Sequence, residues 1–164
     1  MMMHATPNIL FKRLEDLHII IQNHNHSPVF TVEEAKIHCS HLPGCHCKNL
    51  FLKDKKGKLL LVVTPDNRLI DLKSLRKKIS SHSLSFGKPK LLKEVLGVEP
   101  GSVSPFALIN DTKRQVQVVL DHEMMEMGLL NYHPLTNNIT TAITPSDLLI
   151  FIHDTGHNAV VVKL

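Results

Sequence analysis

The sequence predicts a mixed α/β fold, a mixed sheet wrapped by helices, and three observations carry that prediction. Apolar residues recur at three- and four-residue spacing in some segments and cluster in short extended runs in others. These two kinds of segment interleave along the chain, with hairpin turns among them. The length of 164 residues suits one compact domain, residues 1–164, long enough to close a sizeable core.

Taken in order, Thr6 caps a helix with Pro7 at its first position, and Leu10, Leu14, Leu17 and Ile21 mark its packing face. His24 and His26, set among Asn23 and Asn25, read as a polar loop. Ser27-Pro28 breaks the chain, and Thr31 with Glu34 forms a capping box for a helix ending near Cys39. After the loop His41-Leu42-Pro43-Gly44, the runs Asn49–Leu52 and Leu59–Val63 flank a charged turn at Gly57, the pattern of a β-hairpin with Lys48 at its mouth. Asp71 caps a helix with Leu72, Leu75 and Ile79 on one face and Lys73, Arg76, Lys77 and Lys78 on the other. Ser85 to Leu96 reads as a further helix stopped by Gly97. The loop Pro100–Pro105 leads into a predicted strand, Phe106 to Ile109, and Asn110-Asp111 turns toward a second, Val116 to Leu120. A helical turn follows at Asp121–Met127, then extended segments at Leu130–His133 and Ile139–Ile143. Thr144-Pro145 opens the last helix, Gly156 closes it, and Ala159–Val162 forms the last strand.

Composition excludes several classes. With 43% hydrophobic, 21% charged and only 4% aromatic residues, the chain reads as a globular protein with a mostly aliphatic core. It contains no apolar run of the ~18 residues a membrane helix needs, and its Met-Met-Met-His start lacks a signal-peptide layout. A cytoplasmic location is therefore expected. Three cysteines, Cys39, Cys45 and Cys47, predict free thiols rather than a disulfide framework. Nineteen Lys and Arg against fifteen Asp and Glu give a formal charge of +4, which permits a polyanionic partner. The basic residues cluster at Lys53–Lys58, Lys73–Lys78 and Lys88–Lys93, as solvated faces do; a phosphate-binding surface is the other reading of the same runs.

Among the chemistry-bearing motifs, His41-x₃-Cys45-His46-Cys47 holds zinc-type ligands, but Cys-x-Cys is tighter than the usual structural knuckle and no second ligand pair follows. No metal and no cofactor are expected. The nucleophile elbow, the Walker loop and the dinucleotide fingerprint are all missing, which argues against serine-triad and nucleotide chemistry. Most of the twelve histidines, His157 included, lack convergent partners in sequence and read as surface or capping residues. His133 differs, because Pro134 fixes the backbone directly after it. Gly101-Ser102-Val103-Ser104-Pro105 offers backbone amides and hydroxyls able to cradle a small polar group, or else is a rigid turn.

Three segments together, Leu42-Pro43-Gly44 through Lys48-Asn49-Leu50, Gly101 through Phe106, and His133-Pro134-Leu135-Thr136-Asn137, resemble the aminoacyl-tRNA trans-editing family of YbaK and the prolyl-tRNA synthetase insertion domain. The resemblance spans nearly the whole chain and is nearest the free-standing alanyl-tRNA(Pro) deacylase branch, ProX or PrdX. It implies a curved, largely antiparallel sheet surrounded by helices, and hydrolysis of the ester of mischarged Ala-tRNA(Pro). Cys-tRNA(Pro), another mischarged tRNA, or a non-catalytic module that holds tRNA or docks on a synthetase stand as alternatives. It further implies that Lys48, Asn49 and His133 carry catalysis, with Lys48 either stabilising developing charge or anchoring the tRNA 3′ end. Gly101, Ser102, Val103, Ser104, Pro105, Phe106 and Asn137 would bind the aminoacyl group, and Lys73, Arg76, Lys77 and Lys78 the tRNA. The implied partners are the tRNA(Pro) acceptor end and, transiently, prolyl-tRNA synthetase; neither DNA nor a membrane is implied. Cys45, Cys47 and Tyr132 depart from the family pattern, Tyr132 standing where Phe is expected.

Overall fold

The structure is a computed structural model that describes residues 3–164. Eight strands join in one sheet: β1 (Gln22–Asn25), β2 (Cys45–Asp54), β3 (Leu59–Pro65), β4 (Leu84–Phe86), β5 (Val116–Asp121), β6 (Leu130–Tyr132), β7 (Ile139–Ile143) and β8 (Ala159–Val162). Among the described residues six α-helices surround it: α1 (Pro7–Asp16), α2 (Val32–Cys39), α3 (Leu72–Lys78), α4 (Pro89–Leu96), α5 (His122–Met125) and α6 (Pro145–Asp154). The strand order is β1-β7-β6-β2-β3-β5-β8, with β4 pairing β2 off that path. Four of the seven pairings are antiparallel; β2–β6, β3–β5 and β5–β8 are parallel. The mixed, mainly antiparallel sheet with surrounding helices is the architecture the sequence leads one to expect.

β3 lies between β2 and β5 and is buried along its whole length, because side chains on both of its faces meet a core. Leu59, Leu61 and Val63 face the larger core, which Leu10, Leu14, Phe106, Tyr132 and Phe151 also build. Leu60 and Val62 face a smaller one with Leu52, Leu75 and Val119. The period-two alternation thus sorts β2 as well: Cys45, Cys47 and Phe51 belong to the larger core, Leu50 and Leu52 to the smaller.

Caps fix most helix starts where the sequence marks them. Thr6 accepts from the Ile9 amide, Thr31 from Glu34, Asp71 from Lys73 and Thr144 from Asp147. Four expectations need correction. The first helix stops at Asp16, because His18 turns left-handed (φ 59°) and the Ile19 amide bonds back to the Leu14 carbonyl, so Leu17 and Ile21 pack on the core from outside the helix. Residues 22–25 form edge strand β1 against β7, held by backbone bonds that polar side chains do not advertise. The predicted helix from Ser85 begins only at Pro89, whose missing amide suits a first position and not an interior one; Leu84–Phe86 pairs with Leu52–Asp54 instead. Phe106–Ile109 is not a strand but part of a 3₁₀ helix, Pro105–Asn110, opened by the Ser104 side chain accepting from the Phe106 amide.

Candidate active site

β2 has two different neighbours along one edge. Its first residues, Cys45 and His46, run parallel to Leu130 and Asn131 of β6, and its last, Leu52–Asp54, pair with β4. Between them Cys47–Leu50 have no strand partner on that edge, and a cavity of about 230 Å³ opens there. The segment Val29–Val32 and α2 roof it, Gly101 and Val103 close one side, and Asn131, Tyr132 and His133 close another. Lys48 and Asn49 line it from β2.

Lys48 and Asn49, being successive residues of a strand, leave opposite faces of the sheet. Asn49 follows Cys47 toward the larger core, whereas Lys48 lies on the face of Leu50 and Leu52, opposite Thr64 of β3. A gap in the sheet lets one cavity collect both. Lys48 is half-buried, and none of the ion pairs among the described residues includes it. Asp121 is engaged elsewhere, taking Arg68 Nε at 2.6 Å and the Thr64 hydroxyl at 2.6 Å, while Asp66 lines the same cavity but makes no ion pair with Lys48. A cation thus stands ready for a ligand anion. Among the described residues, Asn49 Oδ1 is buried without a hydrogen-bond partner, as is Asn131 Oδ1. An unmet buried acceptor costs about 1–3 kcal/mol, which a ligand or water donor recovers.

His133 follows β6 and donates Nδ1–H to the Ile139 carbonyl at 2.9 Å, which leaves Nε2 of the neutral ring as an acceptor with no hydrogen-bond partner among the described residues. Burial lowers its pKa below the ordinary 6.5, with a smaller push from His26 in the same direction, against the Ile139 bond that raises it. The Ser104 hydroxyl donates to the His133 carbonyl at 2.7 Å, so Ser104 holds the histidine's backbone rather than the cavity's contents. Gly44 makes the β2–β6 junction possible. Its φ is +104°, and a Cβ there would lie 3.0 Å from both Asn131 Nδ2 and the Leu129 carbonyl, in the space where Asn131 donates to the Pro43 carbonyl. At Gly101 a Cβ would meet the Val29 carbonyl at 3.1 Å and Phe30 Cα at 3.3 Å, so glycine lets the roof segment lie close.

The structure thus brings together Lys48, Asn49, Gly101, Val103 and His133. Ser102, Pro105, Phe106 and Asn137 are not among the lining residues. Phe106 is a core residue, fully buried and edge-on to Tyr132 and Phe151 at 6.0 and 5.5 Å; the strand expected there would have alternated, but a buried 3₁₀ turn carries its whole segment inward. Asn137 buttresses the roof, its carbonyl accepting from the Val29 amide. Lys73, Arg76, Lys77 and Lys78 are exposed on α3, which packs through Leu75 on the same sheet face as Lys48. Sequence reading missed Asn131, Lys36, Asp66 and the whole Val29–Val32 roof. The capping box at Thr31 marks a helix but says nothing of where it docks. His157 is no surface residue: it is buried and bonded to Asp111 Oδ2 at 2.8 Å. Among the described residues, no three His, Cys, Asp or Glu side chains converge as a metal site, and no helix is long and apolar enough to cross a membrane.

Comparison with known proteins decides the family. A model of the aminoacyl-tRNA editing domain matches residues 26–151, a stretch that holds every residue of the cavity. The chain belongs to the aminoacyl-tRNA editing domain family. This editing domain is 44% identical over 140 residues to prolyl-tRNA synthetase associated domain-containing protein 1 of Danio rerio, covering 84% of the chain and 76% of that protein. It is 35% identical over 154 residues to the prolyl-tRNA editing protein ProX of Acetoanaerobium sticklandii, covering 93% of each. Its fold matches a solved structure described as a candidate trans-editing enzyme for prolyl-tRNA synthetase, with a TM-score of 0.71, 18% identity and 99% of both chains covered.

Proposed function

We propose that this chain is a single editing domain that hydrolyses the aminoacyl ester of mischarged Ala-tRNA(Pro), acting in the cytoplasm on what prolyl-tRNA synthetase releases. The observation that carries this reading is the split in the sheet, where an unpaired lysine, an amide and a neutral histidine meet at one cavity in a chain of the editing family.

An aminoacyl ester is already activated, so hydrolysis needs a positioned water and stabilised charge more than a strong nucleophile. Lys48 places its ammonium beside the 3′ end, either on the terminal phosphate and ribose or on the developing oxyanion. Asn49 offers its unmet carbonyl oxygen to a donor of the substrate. His133, with Nε2 free to accept, orients the attacking water or the substrate's 2′-hydroxyl. Gly101 and Val103 bound the space for the amino-acid side chain, while Ser102, Ser104, Pro105, Phe106 and Asn137 hold the cavity's walls in place. The basic face of α3, on the sheet face toward which Lys48 projects, contacts the acceptor stem through Lys73, Arg76, Lys77 and Lys78.

The need for such an enzyme follows from selectivity. A pocket built for proline rejects a smaller amino acid by only about 1–3 kcal/mol, so a second site must remove the errors. The test is a panel of mischarged tRNAs incubated with catalytic amounts of protein. Turnover of Ala-tRNA(Pro) supports the reading. Preference for Cys-tRNA(Pro) or a Ser- or Thr-charged tRNA would reassign the substrate, and stoichiometric protection without turnover would make the chain a binding module.

A further inference from the structure

Cys45 and Cys47 stand two residues apart on β2, so both side chains leave the same face of the strand. Their Sγ atoms lie 3.9 Å apart, with the Cys47 thiol donating toward Cys45. Cys47 lines the cavity next to Lys48, and Cys45 lies just outside it, partly exposed. Hydrolysis uses neither thiol. We propose that Cys45 and Cys47 form a dithiol modification site, which a hydroperoxide oxidises reversibly to an intramolecular disulfide.

The chemistry balances with the peroxide as the one oxidant. The Cys45 thiolate attacks the peroxide; an S–O bond forms as the O–O bond breaks, and the leaving oxygen takes up a proton as water or alcohol. The Cys47 sulfur then attacks Cys45 sulfur, the S–S bond forms, the S–O bond breaks, and the hydroxyl departs with the Cys47 proton as water. Two electrons pass from the sulfur pair to the peroxide. The roles follow from position. Cys45 is reached from solvent, and the Cys47 hydrogen bond lowers its pKa against burial and the neighbouring Asp66, Asp121 and Glu123. Cys47 keeps its proton until the second step, held well up by that same bond and by burial.

Strand geometry makes the bridge strained and therefore reversible. Two residues of extended chain span about 6.6 Å between Cα atoms, close to the ~6.8 Å limit that a disulfide tolerates. Drawing the sulfurs from 3.9 Å to bonding distance, about 2.05 Å, contracts β2 immediately before Lys48. Strained bridges are the readily reduced ones. Where the hydrolytic reading holds, on which this consequence rests, oxidation also removes deacylation.

The test treats the full chain with hydrogen peroxide, blocks remaining thiols and reads intact mass. The expected result is loss of two hydrogens, a bridge placed between Cys45 and Cys47 by fragmentation, and recovery with dithiothreitol. Cys39→Ser should bridge like wild type; Cys45→Ser should form no bridge, keep its deacylase activity and lose none to peroxide. Absence of the two-hydrogen loss, or a bridge that uses Cys39, overturns the proposal. A reduced protein with no deacylase activity would instead count against the hydrolytic reading, and the mass result would still decide the dithiol.

Discussion

At the residue scale the account turns on Lys48, a half-buried cation that no carboxylate among the described residues claims. Lys48→Ala should lower deacylation by roughly a hundredfold or more, the loss seen when one preorganised charge or donor is removed, with circular dichroism and the melting temperature unchanged. Full activity in that variant would remove Lys48 from the site. His133 makes a separate prediction. Burial holds its pKa below the ordinary 6.5, so the neutral form that accepts at Nε2 predominates at and above that pH. The acid limb of the kcat/KM profile should therefore have its midpoint below 6.5, and that limb should vanish in His133→Gln. An acid limb centred above 6.5 would contradict this role. Lys48 and His133 were singled out through the motifs that carry the family resemblance, and both line the cavity. Asn131 was not, since its meaning comes from Pro43, 88 residues away, to whose carbonyl it donates.

At the element scale, the cavity exists because β2 parts from β6 after His46 and meets β4 only at Leu52. The hairpin of β2 and β3 was readable from two apolar runs about a glycine turn. The parallel contact with β6 was not, because nothing in either strand names its partner. The roof depends on Gly101, where a methyl group would press on backbone atoms of Val29 and Phe30 that cannot swing aside. Gly101→Ala should thus depress kcat/KM while melting within a few degrees of wild type; unchanged kinetics would show that the roof segment tolerates displacement. Helix α3 is judged by salt. If its lysines meet acceptor-stem phosphates, the slope of log affinity against log salt should shrink by about one for each Lys73→Ala or Lys77→Ala change. An unaltered slope would return this face to the solvated role that its composition equally allows.

At the scale of the whole molecule, Asp111 ties the start of β5 to the end of α6. Its carboxylate accepts from the Val116 and Gln115 amides and from His157 Nε2, and His157 Nδ1 in turn meets Thr155. Burial alone would raise the carboxyl's pKa, but these bonds hold it lowered. A depressed folded-state value adds stability that is present above the ordinary carboxylate pKa, about 3.9, and is lost as pH falls through the folded value. Asp111→Ala should cost about 3 kcal/mol near neutrality, by analogy with other broken buried pairs, and its stability gap from wild type should narrow in acid. A gap unchanged down to pH 2 would assign the loss to packing instead. The overall class was legible from alternating periodicities, whereas the buried Asp111–His157 tie was hidden: two polar residues 46 positions apart carry no local signature of burial.

The most direct test is a time course of Ala-tRNA(Pro) and Pro-tRNA(Pro) with substoichiometric protein, wild type beside Lys48→Ala. The account predicts many turnovers of the alanyl ester, little of the prolyl ester, and neither in the variant. One equivalent of protected Ala-tRNA(Pro) without release of alanine, or equal hydrolysis by Lys48→Ala, would contradict it.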